Sequence, residues 1–181
     1  MTAPVFENRS ETARGRMLYQ SLLTVHRMIR RDLATVEQLA MDVLDGLPAA
    51  GVHEELDALK SNSMLWQFQV SCLRYCGFVH SHHHAEDVDF FDELEETNPA
   101  IRPVVERLRA DHRAVSDYLD AVEAAARALS ADDSHDARRA VADALDVLKG
   151  HLLAHLDYEE LNVAATARRL RDFPSAGSAT A

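Results

Sequence analysis

Residues 151–161 read HLLAHLDYEEL. His155 and Glu159 are four apart, so on a helix they stand one turn from each other on a single face. The apolar residues on either side, Val141, Leu145, Leu148, Val163 and Ala167, keep three- and four-residue spacing in the same phase. A helix over roughly Asp136 to Leu170 follows, with an imidazole and a carboxylate interrupting its apolar stripe. At the start of that interruption the phase falls on His151 or Leu152.

Moving outward, residues 79–87, VHSHHHAED, carry the same His-x-x-x-Glu pattern at His82 and Glu86. They lie in a segment from roughly Ser61 to Leu94 whose stripe is Leu65, Phe68, Cys72, Tyr75, Val79, Phe90 and Leu94. An earlier segment, roughly Gly15 to Leu47, has Leu18, Leu22, Val25, Ile29, Leu33, Val36, Ala40 and Val43 in phase, with His26 on that stripe; Gly46 and Pro48 end it. After TNPAIRP, where Asn98 suits an N-cap and Pro99 the first helical position, a third stripe reads Ile101, Val104, Leu108, Val115, Leu119 and Val122. His112 falls within it.

The pattern predicts an all-α, up-and-down four-helix bundle. The segment GVHEELDALK predicts a short extra helical piece between the first and second helices. The bundle is expected to span residues 15–172, with flexible stretches at 1–14 and 173–181, where polar and small residues have little to bury.

Each of the four helices places a metal-competent side chain in core phase. A lone histidine or glutamate there is most simply a core residue satisfied by a neighbour; four helices doing so together point to a shared ligand. Burying ionised carboxylates costs several kcal/mol unless a counter-charge is present, and a bound cation supplies one. Imidazole nitrogen with carboxylate oxygen suits iron, zinc or manganese, and facing helices of a bundle are a common frame for a two-metal site. Four imidazoles and two carboxylates exceed what one tetrahedral zinc uses. Two octahedral ions bridged by carboxylates and a solvent oxygen would use them all and leave one position open.

The rest of the composition excludes more than it assigns. Thirty Asp and Glu against 19 Lys and Arg give a net charge of -11, which repels nucleic-acid phosphates and anionic lipid. No signal-peptide core and no run of about 18 apolar residues appears, so a cytoplasmic protein with no membrane partner is expected. Cys72 and Cys76 share a helix face and read as small core residues. His80, His82, His83 and His84 point about 100° apart in succession and cannot all reach one site. His83 with Asp87 is the alternative register to His82 with Glu86; His80 and His84 read as surface residues.

VHRMIRRDL at 25–33, VHSHHHAED at 79–87, LRADHRAVSDYL at 108–119 and HLLAHLDYEEL at 151–161 occur in the order of the hemerythrin-like, or HHE cation-binding, domains, and the sequence resembles that family over nearly its whole length. The resemblance implies a hemerythrin-like bundle holding two iron ions with a bridging oxo or hydroxo group, zinc or manganese being alternatives for much the same ligands. It implies His26, His82, Glu86, His112, His155 and Glu159 as ligands, the carboxylates bridging. The open position would take O2, peroxide or NO.

Two departures stand out. Ser116 occupies the position where the oxygen carriers have a second third-helix histidine, so His151 is a candidate fifth imidazole or a hydrogen-bond partner of the ligands. The acid of the last helix is Glu159, not the later aspartate of the oxygen carriers. Both weigh against simple oxygen transport and leave oxygen or redox sensing, or peroxide or NO detoxification. The alternative is an iron-binding, iron-responsive or storage protein whose metal is structural or regulatory. A ferritin-like site is disfavoured, since no histidine here has Glu three residues before it.

Overall fold

The computed structural model describes residues 10–45 and 54–172. Helix α1 spans Ala13–Asp45, α2 spans Glu54–Ala85, α3 Phe91–Thr97, α4 Arg102–Ala131 and α5 His135–Ala167. A single π-helical turn, Glu86–Phe90, joins α2 to α3 without a break, so these form one long rod, and no strand occurs among the described residues. Helix α1 packs on α2 and α5, and α4 packs on the same two, closing a four-membered ring of neighbours. This is the expected all-α bundle.

Capping follows the sequence signals. The Asn98 side chain accepts from the Ala100 backbone N–H at 3.3 Å, and Pro99 opens a short 3-10 turn, Pro99–Ile101, that leads into α4. Ser134 accepts from the Ala137 N–H at 3.2 Å and starts α5. Arg138, buried near that end, donates to the Val43 carbonyl at 2.7 Å and grips Asp133 with two further nitrogens, tying the start of α5 to the end of α1.

Three expectations need correction. Glu54–Lys60 are the first turns of α2, not a separate helical piece; Gly51, Val52 and His53 lie outside the described residues. Thr12 and Arg14, expected in a flexible stretch, are held. Thr12 donates from its hydroxyl to the Leu170 carbonyl at 2.6 Å and from its backbone to Arg168 at 2.9 Å. Arg14 pairs with Glu93 and donates to the Arg171 carbonyl at 2.9 Å. Residues 1–9 and 173–181 lie outside the described residues. Third, Phe91 and not Phe90 enters the core: in the π turn the Phe91 N–H bonds back five residues to the Glu86 carbonyl, which widens the turn so that Phe91 follows Glu86 on the buried face, while Phe90 is only partly covered.

The start of α1 also meets the end of α5 closely. A Cβ on Gly15 would stand 2.5 Å from the Arg168 carbonyl oxygen, so only glycine permits that approach.

The interior consists of two apolar clusters. The larger runs from Ile29 and Val79 through Val115, Leu119 and Leu148 to Val43, Leu129 and Val141. The smaller gathers Tyr19, Leu22, Phe91, Leu94, Leu108 and Val163 near the other end. Cys72 and Cys76 are free thiols wholly buried in the larger cluster. His26, Glu86, His112, His155 and Glu159 are also buried, and along each helix they fall between the stretches that supply the two clusters.

Candidate metal centre

The polar layer is built by phase. On α1, His26 lies one turn before Ile29 and one after Leu22; on α4, His112 lies between Leu108 and Val115; on α5, His155 and Glu159 lie between Leu152 and Val163. On the α2 rod, His82 and His83 close the α-helical part and Glu86 opens the π turn. Local helix geometry alone aims these side chains inward.

The side chains form two groups that could each hold a metal ion. His83, Glu86, His112 and His155 make one; His26, His82, Glu86 and Glu159 make the other. In each group the potential ligand atoms lie within 4.8 Å of one another, and Glu86 belongs to both. Glu86 Oε1 is 3.2 Å from His82 Nε2, while its Oε2 is 3.5 Å from His112 Nε2, so the two oxygens face different groups. Glu159 Oε2 stands 3.3 Å from His26 Nε2 and 3.8 Å from His155 Nε2, which sets a second carboxylate across the same gap.

The buried polar atoms test whether a cation fits. His26 Nε2, His82 Nε2, His112 Nε2, both ring nitrogens of His83 and His155, and both oxygens of Glu86 and Glu159 are buried without a hydrogen-bond partner. Each such atom costs about 1–3 kcal/mol if left alone, and more when charged, so eleven in one polar layer would be untenable without a shared partner. Divalent cations satisfy lone pairs of nitrogen and oxygen together, and this donor set fits them.

Electrostatics agree. Burial, and then the neighbouring Glu159, push the Glu86 carboxyl up to about 8, and burial raises Glu159 as well. Burial lowers His82 to about 3, His155 to about 4 and His112 to about 2, with His83 lowered also; the surrounding imidazoles add to this. These imidazoles therefore stay neutral, the form that ligates metal. His26 differs. Burial pulls it down, but Glu159 and Glu86 together outweigh burial and hold it at about 9.

Three imidazoles carry a carboxylate behind the ring. His26 Nδ1 meets Glu160 Oε1 at 2.9 Å, and His112 Nδ1 meets Asp87 Oδ1 at 3.1 Å. Glu160 is itself held by Arg30 at 2.6 Å. Arg109 reaches the Asp87 backbone carbonyl and Asp92, both at 2.7 Å. His155 Nδ1 faces Asp111 at 4.0 Å, beyond hydrogen-bond range. The two bonded partners fix the tautomers of His26 and His112 and leave their Nε2 free for a metal.

The structure brings together six of the seven residues expected from sequence: His26, His82, Glu86, His112, His155 and Glu159. His151 is not among them. It is exposed and stacks on Tyr118 at 4.3 Å, because the α5 phase places Leu152 inside instead. The fifth imidazole is His83. Sequence reasoning weighed it only as a rival to His82, whereas both converge because there are two groups to reach and adjacent residues can serve one each. Asp87, considered as its companion, points to His112. His80 packs by Ser116 and Asp120, and His84 and His135 are exposed. His53 lies outside the described residues.

A four-helix bundle whose interior carries a layer of imidazoles and carboxylates is the architecture of a metal-binding helical protein. The family model for the hemerythrin HHE cation-binding domain matches residues 17–167, and the chain belongs to that family. No curated protein and no solved structure matches it. The domain is thus a hemerythrin-like cation-binding bundle. Among the described residues, no helix is long and apolar enough to cross a membrane.

Proposed function

We propose that the chain is a non-haem di-iron protein that binds or reacts with small oxidants, O2, peroxide or NO, for oxygen or redox sensing or for detoxification. The observation that carries this reading is the pair of ligand groups sharing Glu86, each with more than one imidazole. His83, His112 and His155 would hold one ion, His26 and His82 the other, and Glu86 and Glu159 would lie between them. Mixed imidazole and carboxylate ligation suits iron and leaves zinc and manganese as competitors. When bound, an iron pair supplies reversible one-electron chemistry at each ion and an open position for a small ligand.

The chain's own part is positioning. Glu160 and Asp87 would hold the His26 and His112 rings in register, and Arg30 and Arg109 would fix those carboxylates in turn. Val79, Leu108, Val115 and Leu148 are fully or almost fully buried and would keep water out. Buried free thiols are in keeping with a reducing, cytoplasmic setting. The acidic charge supports neither nucleic acid nor membrane as partner.

A second reading, an iron-responsive or storage protein, is supported by the spread of the ligands over all four long helices. Metal loss there would loosen every helix pair at once. Elemental analysis of protein produced with iron, with visible spectra before and after peroxide, tests the proposal. About two irons per chain with oxo-bridge absorption, both lost in Glu86→Ala, is the expected result. One zinc, or no metal, would overturn it. Rapid spectral change with oxidant favours the first reading, and reversible iron loss with partial unfolding favours the second.

A further inference from the structure

A cavity of about 260 Å³ opens between α1 and the end of α2, with Leu18, Leu22, Val25 and Phe90 as walls and His82 and Glu86 at its inner end. Three features set it apart. It reaches the group with two imidazoles and touches none of His83, His112 or His155. Glu86 is the sole charged residue among its lining, in a chain where 27% of residues are charged. And His82, at its inner end, is the least buried member of either metal group.

Dioxygen, NO and hydrogen peroxide have two heavy atoms each and gain little from walls of this extent. Hydrogen peroxide is also polar at both ends, and apart from the Ser21 hydroxyl at the rim the walls offer it no hydrogen bond from their side chains. A molecule with a branched alkyl group and an oxygen head fits better. Each methylene moved from water into such walls adds about fourfold to affinity, so a four-carbon group offers a gain of two orders of magnitude over a bare peroxide. The head would then lie beside His82 and Glu86, at the half with fewer imidazoles.

We propose that this cavity is a subsite for the alkyl group of a small organic hydroperoxide, and that the protein prefers such molecules to hydrogen peroxide. The proposal deepens the di-iron reading and rests on it for the reaction. Reduction, ROOH + 2 H⁺ + 2 e⁻ giving ROH and H2O, breaks the O–O bond. The two protons come from solvent, and the two electrons come from the reduced metal pair, one from each ion. The π turn contributes as well. By carrying Phe91 into the core it leaves Phe90 at the surface as a wall of the cavity.

The binding part is separable from the reaction. The full chain, loaded with diamagnetic zinc and methyl-labelled at Leu and Val, is titrated with tert-butanol, an unreactive stand-in for the alcohol product. Saturable shifts confined to Leu18, Leu22 and Val25 are expected. Shifts spread over the surface, or none, would overturn the subsite. In the iron-loaded, reduced protein, oxidation rates by tert-butyl hydroperoxide and by hydrogen peroxide are compared in wild type and in Ser21→Trp. Ser21 is an exposed residue at the cavity rim, so that variant keeps the core intact. The ratio of organic to inorganic peroxide rates is expected to fall at least tenfold; an unchanged ratio would overturn the substrate preference. Failure to load iron would sink the di-iron reading and with it the reaction, while the alcohol titration would still decide the subsite.

Discussion

The two metal groups differ in supply and in access. One has three imidazoles, all buried, enclosed between α2, α4 and α5 with Phe91 stacked 5.2 Å from the His112 ring. The other has two imidazoles and two carboxylates, and a cavity runs to its edge. An ion needing six donors finds four protein residues at either, and the second borders a cavity that a ligand from solvent can enter. On the di-iron reading, the enclosed group would hold the anchoring ion and the other the ion that ligands reach.

Substitutions can break or sharpen that contrast. Glu86→Ala should have the largest effect, since Glu86 alone belongs to both groups: metal content measured after dialysis should fall from about two per chain to none. His155→Ala and His26→Ala come next and should diverge. Loss of His155 from the enclosed group should release both ions, because the anchor goes first. Loss of His26 should leave about one, and a matching loss in both variants would show the groups to be equivalent.

Glu160→Gln and Asp87→Asn remove only the support behind a ring. Each should lower metal affinity about 10- to 100-fold in a chelator competition without abolishing binding. An unchanged affinity would mean that packing alone orients the rings. The smallest effect belongs to His151→Ala, which should leave metal content and visible spectrum as in wild type; loss of metal there would bring this exposed histidine back into the centre.

Much of this is legible in the sequence. Hydrophobic phase alone placed His26, His112 and the His155–Glu159 pair inside, since on α1, α4 and α5 the helical repeat runs unbroken through the polar layer. The second rod was harder. A stripe counted at three and four residues from Val79 arrives at Phe90, and only a π turn, which that counting does not anticipate, delivers Phe91 instead. The choice between His151 and Leu152 turned on one residue of phase, and the structure gave it to leucine. His83 stands in the sequence as an alternative to His82: with two groups side by side, neighbouring residues on one helix can each find their own, so both enter the layer. The carboxylates behind the rings, Glu160 and Asp87, carry no sequence signal, because each depends on where a different helix happens to lie.

The clasp between Thr12, Gly15 and the Arg168–Leu170 turn has a mechanical consequence. Force applied at residues 12 and 170 acts at one pole of the bundle, across two backbone-scale hydrogen bonds and a glycine contact, and would unzip α1 from α5 one turn at a time. The first load the clasp releases falls on Tyr19 and Leu22, and only then on His26. A bundle pulled in this way should therefore yield its open-sided ion while the enclosed one is still gripped by α2, α4 and α5.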